Sequence, residues 1–284
     1  MEENNMRLKK GIGFCGIVFM MLTGVCLAKG TVAHASNDAN VLLNPDETYQ
    51  YDVTEDGVTD QVKVKIVDNK DKDDSATITI FVNEQVAFEQ KREAGPYWNV
   101  NLIRLDNGKV FFDIYSTILS DDACIHQLYS CEDGKLKSVY DFQKYYAKYG
   151  DYYLVNVEEV SGNAIKASVM AQFFTTGSIR FDMTLRYEDG KFRTTSDTFA
   201  LKYEKGYRKN KWTANRKIKV YRTAGSKRRA YTLKKGNVVK LSKVVYKDHK
   251  VYLKIRNSKG KNGYIAAAKK YSYTHYFKEA QYAG

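Results

Sequence analysis

The sequence predicts an all-β protein, an N-terminal antiparallel β-repeat region of propeller-blade or meander type followed by a small β-barrel. Three observations lead there. Apolar and polar residues alternate with a period of two along most of the chain, turn-forming pairs such as Asp-Gly recur between the alternating runs, and the charge changes sign between the two regions. The net charge of +13 hides that change. Residues 206–284 hold 23 Lys and Arg against 2 acids, a net of +21, whereas residues 36–205 hold 19 against 29, a net of −10. Opposite charge on two halves of one chain suggests two domains with different partners, or two domains that attract each other.

Taken in order, residues 1–35 read as a secretory signal peptide. Arg7, Lys9 and Lys10 precede an apolar stretch over residues 11–28, and Ala33-His34-Ala35 supplies the small residues that the peptidase requires. An uncleaved anchor is the alternative, because about 18 apolar residues is the lower limit for a span. A lipid on Cys26 is another, although Thr23-Gly24-Val25 is a poor lipobox. No later segment is apolar enough to span a membrane, so cleavage leaves a chain without one. Residues 36–50 are a polar lead-in, and residues 51–201 form the acidic β-repeat domain.

In that domain Val62, Val64 and Ile66 alternate with Lys63 and Lys65, and Ile78 and Ile80 mark a second strand before a turn at Asn83-Glu84. Glu132-Asp133-Gly134-Lys135 is echoed 56 residues later by Glu188-Asp189-Gly190-Lys191. Further turns fall at Asp106-Asn107-Gly108 and Ser161-Gly162-Asn163, each followed by a strand-like run. A period near 50 residues with several strands per unit fits propeller-type blades or an extended meander, and recurrent hairpins in an ordinary β domain are the plainer reading. Residues 144–149 make a short helical or irregular connector. Cys124 and Cys131 are the only cysteines after residue 35. They either form one disulfide closing a short loop or remain two buried thiols.

Residues 202–215 read as a basic, polar linker, residues 216–271 as the last domain and residues 272–284 as a tail. Strand signals recur over residues 218–221, 230–233, 238–245, 251–255 and 264–267, with turns between them. Five short strands in about 55 residues make a small barrel.

Val220-Tyr221, the run from Tyr231 to Gly236 (YTLKKG), Val251-Tyr252-Leu253-Lys254-Ile255 and the closing Gly263-Tyr264-Ile265 carry a resemblance to a bacterial SH3 (SH3b) domain. It covers about residues 214–271. The family commonly closes on Gly-Trp-Ile or Gly-Trp-Val, and this chain has Tyr264 in place of the Trp. The resemblance implies an SH3-like β-barrel that binds peptidoglycan or its cross-bridges, beside a separate catalytic or surface domain. Tyr221, Tyr231, Tyr246, Tyr252 and Tyr264 are the candidate platforms for glycan or peptide, and the Lys/Arg surface suits anionic wall polymers. The same charge would attract nucleic acid, which an exported protein rarely meets, so none is expected as a partner.

The segment from Asp52 to Asp60 (DVTEDGVTD) resembles the Asp-rich loops that open FG-GAP or VCBS-type β repeats of secreted Gram-positive proteins. Such spacing suits Ca2+, with Asp52, Thr54, Asp56 and Asp60 as ligands. Thr54 replaces an acid, and Lys63 stands where an EF-hand needs its bidentate Glu. The alternative is a solvated turn.

Catalytic patterns are missing. His126, His249 and His275 belong to no HExxH or zinc spacing, and neither GxSxG nor a P-loop occurs. The adjacent pairs Asp121-Asp122 and Glu158-Glu159 would point to opposite faces of a strand. The expectation is therefore a secreted, wall-associated, non-enzymatic binding protein tethered by its SH3b-like domain. The alternative is a cell-wall hydrolase targeted by the same domain. The sequence leaves the oligomeric state open.

Overall fold

A computed structural model describes residues 33–34, 39–69, 74–93, 97–117, 123–149, 152–203, 210–268 and 275–280. The expected leader, the apolar stretch over residues 11–28 and Cys26 lie outside them. Val32–Gly284 form one compact unit. The fold is almost wholly β with antiparallel sheets, as the alternation predicts. Among the described residues no helix is long and apolar enough to cross a membrane.

The body contains three successive four-stranded meanders. The first runs β3 (Thr48–Tyr51), β4 (Asp60–Asp68), β5 (Ser75–Val82) and β6 (Gln85–Glu93). The second runs β7 (Tyr97–Arg104), β8 (Val110–Thr117), β9 (Ala123–Glu132) and β10 (Lys135–Asp141). The third runs β11 (Tyr152–Ser161), β12 (Ala164–Phe173), β13 (Gly177–Glu188) and β14 (Lys191–Thr194). Two short lead-in strands extend the first two sheets, β1 (Ala33–His34) parallel to β3 and β2 (Asn40–Leu42) antiparallel to β7. A single helical turn, α1 (Phe142–Ala147), follows β10, and the Asp141 carboxylate caps it by accepting the Lys144 N–H.

In every meander the hairpin between the third and fourth strands has two residues at positive φ. These are Asn83 and Glu84, Asp133 and Gly134, and Asp189 and Gly190. Two left-handed residues in succession give a turn whose twist matches that of the strands. The echo of Glu132–Lys135 in Glu188–Lys191 thus marks equivalent hairpins, and Asn83-Glu84 is the third copy with less suitable residues. The hairpins between first and second strands lie side by side. Lys109 in the second pairs with Glu55 in the first, and the Asp106 carboxylate accepts the Gly162 N–H of the third at 2.8 Å.

The sheets stack in layers. The first packs on one face of the second through Val62, Val64, Ile78 and Ile80 against Val100, Leu102, Phe112 and Ile114. The opposite face of the second sheet presents Ile103, Phe111 and Leu128 to the core it shares with the third meander and the C-terminal strands. Burial on both faces is why residues 110–114 form a nearly unbroken run of buried side chains.

Seven strands follow the third meander: β15 (Thr198–Lys202), β16 (Trp212–Thr213), β17 (Ile218–Tyr221), β18 (Arg229–Leu233), β19 (Val238–Lys247), β20 (Lys250–Asn257) and β21 (Asn262–Ala266). The last five follow the expected positions closely and hydrogen-bond in the order β19-β20-β21-β17-β18. The barrel does not close. Strand β19 pairs instead with β15, which pairs with β13, so the C-terminal strands continue the sheet of the third meander.

Of the expected linker and tail, residues 202–203, 210–215 and 275–280 are described. Within residues 202–215, Trp212 is buried on β19 and Asn210 makes two hydrogen bonds to the Leu241 backbone. In the tail, Phe277 is buried, bridges Ala214 and packs against Trp212, while Glu279 accepts the Thr213 N–H. Buried Trp212 and Phe277 anchor residues 210–215 and 275–280, which the polar composition of these stretches conceals.

Candidate binding face on the C-terminal sheet

The alternation within each C-terminal strand decides which side chains reach solvent. In β20, Val251, Leu253 and Ile255 are buried, so Tyr252, Lys254 and Arg256 face outward. In β19, Val239, Leu241, Val244 and Tyr246 are buried, which leaves Lys240 and Lys243 exposed on either side of the irregularity between Leu241 and Lys243. Tyr264 of β21 and Tyr221 of β17 alternate with the buried Ile265 and Val220.

Register assembles these residues into rows. Lys243, Lys254, Tyr264 and Tyr221 stand opposite one another across β19, β20, β21 and β17. Lys240 faces Arg256, which faces Asn262, and Val245 faces Tyr252. Half-buried tyrosines therefore stand beside cations on one surface. Among the described residues, Lys240, Lys243, Lys254 and Arg256 form no ion pair, because every described ion pair lies between residues 55 and 202.

The close approach of β17 and β21 depends on Gly263. A Cβ there would stand 2.4 Å from Val220 Cγ1 and 3.0 Å from the Tyr221 carbonyl oxygen. Only glycine lets the two strands lie this close, which is the physical reason for a glycine before the outward Tyr264.

Three of the five predicted tyrosines, Tyr221, Tyr252 and Tyr264, share this outward face. Tyr231 instead follows the side of Val220 and Leu233, donates its hydroxyl to the Lys261 carbonyl at 3.2 Å, and has its phenol pushed up to about 12 by burial. Tyr246 is a correction. It is 1% exposed and packs among Tyr145, Tyr149, Phe181 and Phe199, with its hydroxyl 3.2 Å from that of Tyr153. Strand alternation turns it inward, so it fastens the C-terminal sheet to the body and cannot serve as a platform.

The other expected sites come out differently. In the loop from Asp52 to Asp60 the carboxylates serve the loop itself. Asp60 accepts from the Val53 N–H, the Thr54 N–H, the Thr54 hydroxyl and the Asn83 amide. Asp52 accepts from the N–H groups of Asp56 and Gly57, and Asp56 from that of Val58. Asp52, Asp56 and Asp60 thus act as turn caps, and Thr54 donates to one of them. No three His, Cys, Asp or Glu side chains converge as metal ligands among the described residues.

The expected disulfide is excluded by topology. Cys124 and Cys131 lie in the same strand, β9, seven residues apart. At roughly 3.3 Å per residue that places them about 23 Å from each other, far beyond the ~7 Å limit between bridged Cα atoms. Cys131 is a free buried thiol, and burial pushes its pKa up to about 11. The side chain of Cys124 lies outside the described residues.

His126 is buried against Phe142 and Tyr115, with Nε2 2.9 Å from Asp113 Oδ1. It faces the core shared with the third meander, whereas Cys131 faces the first, so the second sheet separates imidazole from thiol. Comparison of the chain with protein-family models, curated proteins and solved structures finds no match in any of the three.

Proposed function

We propose that the protein is a secreted, non-enzymatic surface protein whose C-terminal sheet tethers it to cell-wall peptidoglycan or to anionic wall polymers. The observation that carries this reading is the outward face of β19-β20-β21-β17, where Tyr221, Tyr252 and Tyr264 stand among Lys243, Lys254 and Arg256 with no acidic residue in the same rows. Directly opposed like charges cost stability in an antiparallel pair. The hairpin of β19 and β20 nevertheless opposes Lys240 to Arg256, Lys243 to Lys254 and Lys247 to Lys250. An anionic partner relieves that repulsion, while the apolar bodies of the tyrosines suit the faces of sugars or peptide stems. Purified sacculi test the reading. The chain lacking residues 1–35 is expected to sediment with them at physiological ionic strength and to be released as salt rises. Failure to sediment at low salt would remove the proposal.

A further inference from the structure

Beside the tyrosine rows lies an open groove of about 430 Å3, lined by Asn210, Lys211, Val238, Val239, Lys240, Arg256, Asn257, Ser258 and Gly260. It is built jointly by the segment before β16, by β19 and by the turn between β20 and β21. Lys211 immediately precedes Trp212, which pairs with Val239, and this brings Lys211 beside Lys240. Lys240 in turn faces Arg256. Three cations therefore meet at one end of the sheet, on strands roughly 4.8 Å apart.

Arg256 is already oriented. Its Nε–H donates to the Gly260 carbonyl at 3.2 Å, and its guanidinium lies over Gly260, where a Cβ would be only 3.3 Å from Nη2. Asn257 fixes the turn by accepting the N–H groups of Lys259 and Lys261. The two terminal nitrogens of Arg256 have no protein acceptor among the described residues. A guanidinium held by one nitrogen with its outer edge free is arranged for an oxyanion.

We infer that this groove binds the phosphate groups of a polyol- or sugar-phosphate polymer. The inference rests on the wall-binding reading and deepens it, since it assigns the anion to one end of the face. Lys211, Lys240 and Arg256 take the phosphate, while Ser258 and Asn257 border space for hydroxyl groups. Among the described residues that line the groove none is aromatic, so none of them offers a face to stack a base. That favours a polyol backbone over a nucleic acid. Lys211 lies before the SH3b-like segment, so the site depends on the docking of residues 210–213 against β19.

Calorimetric titration of the chain lacking residues 1–35 tests this, with poly(glycerol phosphate), inorganic phosphate and a single-stranded oligonucleotide as probes. Lys240→Ala with Arg256→Ala is expected to weaken polymer binding by about tenfold or more, through lost charge-assisted hydrogen bonds and counterion release. Lys63→Ala with Lys65→Ala, which removes the same charge from the first meander, is expected to change it less than about twofold. Inorganic phosphate is expected to bind weakly and to lose its signal in the first variant alone. Equal losses in both variants would reduce the effect to net charge and overturn the inference. An oligonucleotide bound as tightly as the polymer, and lost in the same variant, would overturn it in favour of nucleic acid. Sacculi stripped of phosphate polymers separate the two proposals. Retention on stripped sacculi, unchanged in the groove variant, sinks the groove and leaves the tether standing. Groove-dependent polymer binding without retention on either kind of sacculus does the reverse.

Discussion

Gly263 and Tyr246 both support the C-terminal sheet, for opposite reasons. Gly263 contributes by having no side chain. Gly263→Ala must push Val220 or the Tyr221 carbonyl aside, so it is expected to cost about 1–3 kcal/mol by overpacking, measurable as a lower urea midpoint at unchanged slope. Tyr246 contributes its whole ring to the joint with Tyr145, Tyr149, Phe181 and Phe199. Tyr246→Ala is expected to cost about 3–5 kcal/mol, while Tyr246→Phe, which keeps the ring and loses the hydroxyl contact with Tyr153, should cost no more than about 1.5 kcal/mol. Equal effects from both substitutions would contradict a packing role. Tyr221, Tyr252 and Tyr264 face outward because each alternates with a buried neighbour along its strand. Tyr246 was misread because only the neighbouring strand and body, distant in sequence, show which side of β19 is covered.

Among the elements, the hairpins show how a repeat survives with little sequence identity. Asp133-Gly134 and Asp189-Gly190 carry the residues that a turn with two positive φ angles prefers, so their positions were legible 56 residues apart. Asn83-Glu84 has the same geometry, with Glu84 at φ 65°. A left-handed non-glycine residue costs roughly 1–2 kcal/mol. Glu84→Gly is therefore expected to raise stability by up to about 1 kcal/mol after the added freedom of the unfolded chain is set against it. A destabilised variant in thermal unfolding would count against the turn assignment. Hidden from the sequence was the way the meanders join. Residues 210–213 and 275–280 read as linker and tail on composition, yet Trp212 and Phe277 bury there and complete the module. The expected barrel fails to close because β19 finds a longer partner series through β15 and β13.

At the scale of the molecule, the continuous sheet and the tyrosine joint make the C-terminal strands part of the body. A fragment of residues 206–284 would expose Leu241, Val244 and Tyr246, and is expected to show no dispersed amide spectrum on its own. A folded fragment would refute the shared core. The buried phenols also set a limit in alkali. Burial raises Tyr129 to about 12 and Cys131 to about 11, and pushes Tyr140, Tyr145 and Tyr146 well above the ordinary phenol value. The unfolded chain then loses protons first, so this contribution to stability is complete below about pH 9 and is lost as pH rises through about 11 to 12. Urea midpoints across that range check the sign. The charge asymmetry was fully legible in the sequence, but its concentration into rows on one face required the register of four strands. Paired sedimentation on sacculi tests binding at that face most directly. Tyr221→Ala with Lys254→Ala and Tyr264→Ala, verified as folded by circular dichroism, is expected to lose at least about tenfold in retention, with the wild-type chain bound at physiological ionic strength. Undiminished retention of that triple variant would contradict the assignment of binding to this face.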